Sequence, residues 1–193
     1  MIFMLFFGSP VVPVSALGRR LFAVGRVSLL SGPCVSVAGS RRGVAPASIE
    51  WLQDMLAQVH NHSIVSGLAL GVDRSAHETA LELGLPTIAV LPSGFFRIAP
   101  RQHVGLARRI VASGGLLVSE YEPQTPAKPA QYVARNRIIA ELGKCLLVPQ
   151  CEVHSGTMHT VRFAHELHRP LFTRRAGFSG NSYIVDSLGG HYR

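Results

Sequence analysis

Short unbroken apolar runs alternate along the chain with longer stretches in which apolar positions recur every three or four residues. The runs fall at 34–38, 63–66, 87–91, 116–119, 145–148 and 170–173. Their length and their lack of alternation predict strands buried on both faces. The stretches between them predict helices. Pro46 opens one that carries Ile49, Leu52, Met55, Leu56 and Val59 on one face. A second starts at Val72 and stops at Gly84, and a third covers 104–112 and stops at Gly114-Gly115. Further helices are expected over 135–142, 156–168 and 182–188. Residues 20–32 show no clear period, and 123–129 form a Pro-rich polar loop. Uniformly apolar strands alternating with helices predict an α/β fold, a doubly wound, mostly parallel sheet covered on both faces.

Residues 20–193 are expected to form one domain, preceded by an N-terminal arm over 1–19, packed or poorly ordered. Met1 to Phe7 is strongly apolar, and Val14-Ser15-Ala16 loosely resembles a signal-peptidase site. No basic residue leads that stretch, however, and Pro10 and Pro13 interrupt it, so a secretory signal is not expected. No run is long and apolar enough to span a bilayer.

In open α/β sheets, ligands gather beyond the carboxyl ends of the strands. Gly39-Ser40-Arg41, Ser66-Gly67, Ser93-Gly94, Ser119-Glu120 and 150–156 all follow predicted strands and are expected to share one rim. The turn Gly39-Ser40-Arg41-Arg42 has a residue without a Cβ, a hydroxyl and two guanidinium forks, a set suited to a phosphate. The same residues would also serve as a plain connection with two solvated arginines, and the pattern does not choose between these. Arg135-Asn136-Arg137 opens a predicted helix, where like positive charges oppose the dipole and call for a compensating anion. Ser155-Gly156-Thr157 precedes another helix, where its hydroxyls and amides would either cap the helix or hold a second phosphate.

Charge sharpens this picture. The formal net charge is +8 on a chain with only 16% charged residues, which points to an acidic partner, most often nucleic acid. The three cysteines, Cys34, Cys145 and Cys151, have no CxxC spacing and read as reduced core residues. No G-x-G-x-x-G or Walker loop is present. His165-Glu166-Leu167-His168 is one residue short of the zinc-protease pattern, and Ser93 lacks the nucleophile elbow. Neither a metal, a cofactor nor a hydrolytic triad is called for.

Six stretches in order resemble the DNA-processing protein A family, also called Smf. They are Val37-Ala38-Gly39-Ser40-Arg41, the run from Ile64 to His77, Thr87 to Leu91, Gly115 to Tyr121, Arg135 to Ala140, and Ser155-Gly156-Thr157. The resemblance covers roughly residues 20 to 190. It implies an extended Rossmann-like domain that binds single-stranded DNA without turnover, works in the cytoplasm as a homodimer, and helps load a RecA-type recombinase in natural transformation. It places Gly39, Ser40, Arg41, Arg135, Asn136 and Arg137 in the DNA pocket. Arg42, Ser66, Gly67, Ser155, Gly156 and Thr157 are expected beside them, with Lys128 and Tyr132 as a cation and an aromatic for the strand groove.

Three departures stand out. Val148-Pro149-Gln150-Cys151 replaces the usual Val-Val-Glu-Ala, which is expected to make the pocket less negative. His103 replaces a common asparagine. The length leaves no room for the helical and winged-helix domains that many members carry. A second reading, a nucleotide sensor or an enzyme similar to the nucleoside monophosphate phosphoribohydrolases, shares the Gly156-Thr157 helix start. Those enzymes follow it with a glutamate, whereas here Met158-His159-Thr160 follows. Glu120 is the remaining candidate acid or base.

Overall fold

The computed structural model describes residues 5–193. Its centre is a nine-stranded sheet. The parallel strands β5 (Cys34–Val37), β6 (Ser63–Ser66), β7 (Thr87–Leu91) and β8 (Leu116–Ser119) lie side by side in chain order. The chain then returns across the sheet. Strand β9 (Leu146–Val148) pairs with the free side of β5, followed outward by β10 (Leu171–Thr173) and β11 (His191–Tyr192), all parallel. Every residue of β5, β6, β7 and β8 is buried, as expected of strands covered on both faces. One face carries helices α1 (Pro46–Ala57), α2 (Val72–Glu82) and α3 (Val104–Ala112). Leu52 and Leu56 of α1 pack there with Val35 and Ile64, and Ile110 of α3 packs with Ala89 and Leu91. The other face carries α4 (Pro129–Leu142) and α5 (Thr157–Glu166), where Ile138 and Ile139 meet Val65 and Val90, and Val161 meets Leu146 and Val148. Helix α6 (Ser179–Asp186) adds Ile184 to that second face.

Two expectations are corrected. Residues 12–25 are neither an arm nor an aperiodic lead-in. Strand β3 (Val12–Ala16) pairs antiparallel with β4 (Arg19–Gly25), and β4 pairs antiparallel with β8, closing one side of the sheet. Pro13 is accommodated because β3 is the edge strand, where one row of backbone donors has no ladder to join. Two short strands, β1 (Leu5–Phe6) and β2 (Ser9–Pro10), pair separately, and residues 1–4 of the expected arm lie outside the described residues. The second correction concerns α4. It begins at Pro129, not at Arg135, because proline supplies the first helical position and Lys128 and Gln131 bond around the start, the Lys128 N–H donating to Gln131 Oε1.

Candidate functional site

The connections out of β5 run one way across the sheet and those out of β9 run the other. The crevice beyond the carboxyl ends of these two neighbours is therefore the switch point at which doubly wound sheets take ligands. Gly39 to Arg42 leave β5 there, and 150–156 leave β9. The two loops are latched together. The Ser40 N–H donates to the Gln150 carbonyl at 2.9 Å, and Ser40 Oγ donates to the same oxygen at 3.2 Å. Gln150, 4% exposed, accepts from the Ala45 N–H at 2.9 Å and from Ser48 Oγ at 3.1 Å, and its own amide donates to the Gly43 carbonyl at 2.9 Å. Its side chain is turned toward residues 43–48, where the chain enters α1, so glutamine in place of glutamate alters this latch rather than the pocket charge. A carboxylate has no donor for Gly43.

Two spaces open at the crevice. The inner one is a polar slot of about 20 Å³, bordered by Gly39, Arg41, Asp73, Arg135, Asn136 and Thr157, with room for a single water. The outer one is a groove of about 630 Å³, bordered by Ser40, Arg41, Arg42, Tyr132, Ser155 and His159, with Gly156 and Thr157 at the α5 start. Arg41 and Arg42 are exposed and form no ion pair among the described residues, and Arg41 lies over the Tyr132 ring at 4.9 Å. The start of α5 has no side-chain cap, and among the described residues the buried Ser155 Oγ has no partner, so its hydroxyl is not spent on capping. Asn136 reaches the same loop, its amide donating to the Gly156 carbonyl at 3.4 Å. Among the described residues, no carboxylate borders the groove.

Arg135 does a different job from the one expected. It is the seventh residue of α4, well past the helix start, so the dipole argument does not apply to it. It is 2% exposed and paired with Asp73, Nη2 to Oδ2 at 3.5 Å, and Asp73 also accepts from the Ala69 N–H at 3.2 Å. Burial lowers the affinity of Arg135 for its proton, and Asp73 opposes that loss. Gly67 creates the space. A Cβ there would lie 1.1 Å from Arg135 Nη1. Next to Gly67, Leu68 is left-handed at φ +57, and its carbonyl is held at 2.9 Å by His103 Nδ1. His103 thus stands where it serves the turn by a hydrogen bond that an asparagine amide could also donate.

Arg137 falls two residues further along α4, on another side. It is 42% exposed, donates to Glu120 Oε1 at 3.1 Å and borders neither space, although it was expected in the pocket with Arg41 and Arg135. Glu120 also lies 3.8 Å from Arg19, which in turn holds Glu141 at 2.9 Å, so the one candidate acid or base is bound into an arginine network.

Three further expectations change. Ser66 is fully buried and donates to the Val37 carbonyl at 2.9 Å, a bond inside the sheet. Gly39 makes room for a side chain and not for a ligand, since a Cβ there would meet Val72 Cγ2 at 2.6 Å. Lys128 is exposed at the α4 cap, next to Pro129, which borders the groove, without bordering it itself. Ser93 and Ser119 sit at the same rim, where Ser119 Oγ donates to the Ser93 carbonyl at 2.8 Å. Burial pushes the Cys34 thiol up to about 11 and Cys151 to about 12, which leaves both as inert core groups.

The family model for DNA recombination-mediator protein A matches residues 14–190. The chain belongs to this family. It is 42% identical over 110 residues to protein Smf of Escherichia coli, covering 57% of this chain and 29% of that one. It is 35% identical over 153 residues to the DNA processing protein DprA of Streptococcus pneumoniae, covering 79% of this chain and 54% of that one. The solved DNA processing protein A of Helicobacter pylori, a study of its single-stranded DNA binding mode, superposes with a TM-score of 0.83 at 28% identity, over 96% of this chain and 92% of that one. The Rossmann-like fold and the family resemblance are thereby shown. The chain spans about half the length, or less, of the curated relatives it matches.

Proposed function

We propose that this chain binds single-stranded DNA in the groove at the β5–β9 crevice and releases it unaltered. The observation that carries the reading is a groove with two arginines free of any ion pair, an aromatic ring beneath one of them, an uncapped helix start and no carboxylate on its border. Phosphates take the guanidiniums and the α5 amides, and the Tyr132 ring gives a base a face to stack on. The Helicobacter pylori relative, described as a single-stranded DNA binder, supports the same assignment. Gly39, Ser66, Gly67, Arg135 and Asn136 shape this site from behind, while Ser40, Arg41, Arg42, Tyr132, Ser155, Gly156 and Thr157 face it. Lys128 stands at its flank.

The proposal extends to a homodimeric protein of the cytoplasm that hands single strands to a RecA-type recombinase during DNA uptake. The decisive test compares single-stranded with duplex DNA in a gel shift across a salt series. Single strands bind more tightly, and Arg41→Ala lowers the slope of log affinity against log salt by roughly 0.7 for its one phosphate. Equal affinity for duplex, or an unchanged slope in an Arg41→Ala, Arg42→Ala double variant, overturns the reading. Incubation with nucleoside monophosphates releases no free base if the site only binds.

A further inference from the structure

Tyr132 borders two grooves. Beyond the one that holds Arg41 and Arg42 lies a second, of about 580 Å³, bordered by Phe95, Ile98, Val104 and Ala127 and by Arg97 and Arg101. It sits at the ends of β7 and β8, with β6 between it and the first groove along the same rim. Its floor is fixed, because the loops after these strands are bonded to each other. The Gly94 N–H donates to the Thr125 carbonyl at 2.9 Å and the Phe96 N–H to the Pro123 carbonyl at 3.0 Å. Gly94 is packed so closely on the second loop that a Cβ would meet the Glu122 carbonyl at 2.1 Å.

The chemistry of this groove repeats that of the first. Arg97 and Arg101 are exposed, and among the described residues neither forms an ion pair or stacks on a ring. Among the described residues, no carboxylate borders this groove. By contrast, exposed Arg74 holds Glu78 at 3.0 Å and half-exposed Arg137 holds Glu120 at 3.1 Å. Two unpaired guanidiniums beside an apolar floor match the two halves of a nucleotide, an anionic phosphate and a flat, weakly polar base.

We infer that this second groove is a further subsite for single-stranded nucleic acid. A strand held at Arg41 and Arg42 crosses Tyr132 and continues into it, placing phosphates at Arg97 and Arg101 and a base against Ile98, Val104 and Ala127. The inference rests on the proposed use of the first groove, and the two fail differently.

The test measures binding of fluorescent oligothymidylates of about five and about twenty nucleotides, the short one sized for a single groove. Salt is varied from roughly 50 to 200 mM. The proteins are the unaltered chain, an Arg97→Ala, Arg101→Ala double variant, Arg41→Ala, and Arg74→Ala as a control for lost charge. On the long strand the double variant lowers the salt slope by roughly 1.4, two contacts at 0.7 each, and Arg74→Ala leaves it unchanged. On the short strand the double variant binds as the unaltered chain does. An unchanged slope on the long strand, or an equal loss on both lengths, overturns the second subsite. Arg41→Ala silent at both lengths overturns the first groove instead. Thermal melts of all variants accompany the titrations, and the exposed positions leave them unchanged.

Discussion

Arg41 and Arg135 border the same slot and carry the same charge, but their surroundings assign them opposite work. Arg41 is exposed, rests on Tyr132 and forms no ion pair among the described residues. Arg135 is enclosed, faces Asp73, and fills a space that exists only because residue 67 is glycine. A guanidinium with a buried carboxylate is already satisfied and can act on a ligand only through what it holds in place. One without a partner in solvent costs little to keep and is available to an incoming anion. Both arginines fall in family motifs, and burial separates the proposed contact residue from the supporting one.

This contrast can be broken from the inside first. Asp73→Ala strands a buried charge and is expected to destabilise the fold by about 3–5 kcal/mol in denaturant melts. Gly67→Ala forces the Arg135 guanidinium out of place and should cost a comparable amount. Acid gives the next largest effect. Burial, with Arg135 and His103 nearby, holds His77 neutral down to about pH 3, while in the unfolded chain it takes up a proton below its ordinary value of 6.5. Between those limits the unfolded chain binds more protons, so stability is present above 6.5 and falls by about 1.4 kcal/mol per unit as pH drops. Melts of His77→Gln across that window show a flatter profile if His77 is the source.

On the outer side, Arg41→Ala should leave the melting curve within about 0.5 kcal/mol of the unaltered chain while weakening strand binding. His103→Asn should keep both binding and stability near normal and His103→Ala should lose some of each, because only the first supplies a donor to Leu68. The smallest effect belongs to Arg137→Ala. Its half-exposed pair with Glu120 is worth about 1 kcal/mol at most, and its removal should not change the salt slope.

Much of the fold was legible from pattern alone. The six central strands and α1, α2, α3 and α5 are near where apolar periodicity puts them, since strands buried on both faces carry a strong signal. The β3–β4 hairpin escaped because its turn is Leu17-Gly18, both at positive φ, where asparagine or aspartate would have announced a two-residue turn. The start of α4 was hidden by a Pro-rich stretch that reads as loop until Pro129 is recognised as a first helical residue. Within the site, the turn after β5 and the start of α5 were found from residue type and position. The sequence could not show that Asp73 lies against Arg135, because a pairing across 62 positions leaves no local trace; one apolar face of α2 with an acid in it was the only available hint. Nor could it show that Arg137 turns toward Glu120, although a spacing of two along a helix already puts Arg135 and Arg137 on different sides.

The Gln150 latch carries one more consequence. Four hydrogen bonds and the Ser40 amide tie the walls of the crevice to each other before any ligand arrives. Such a cradle has little freedom left to surrender, so in the proposed association the loss of disorder falls on the floppy polymer and not on the protein. Encounter should then be quick and nearly indifferent to base order, with selectivity coming from how readily a given stretch of polymer curls to meet a stiff surface.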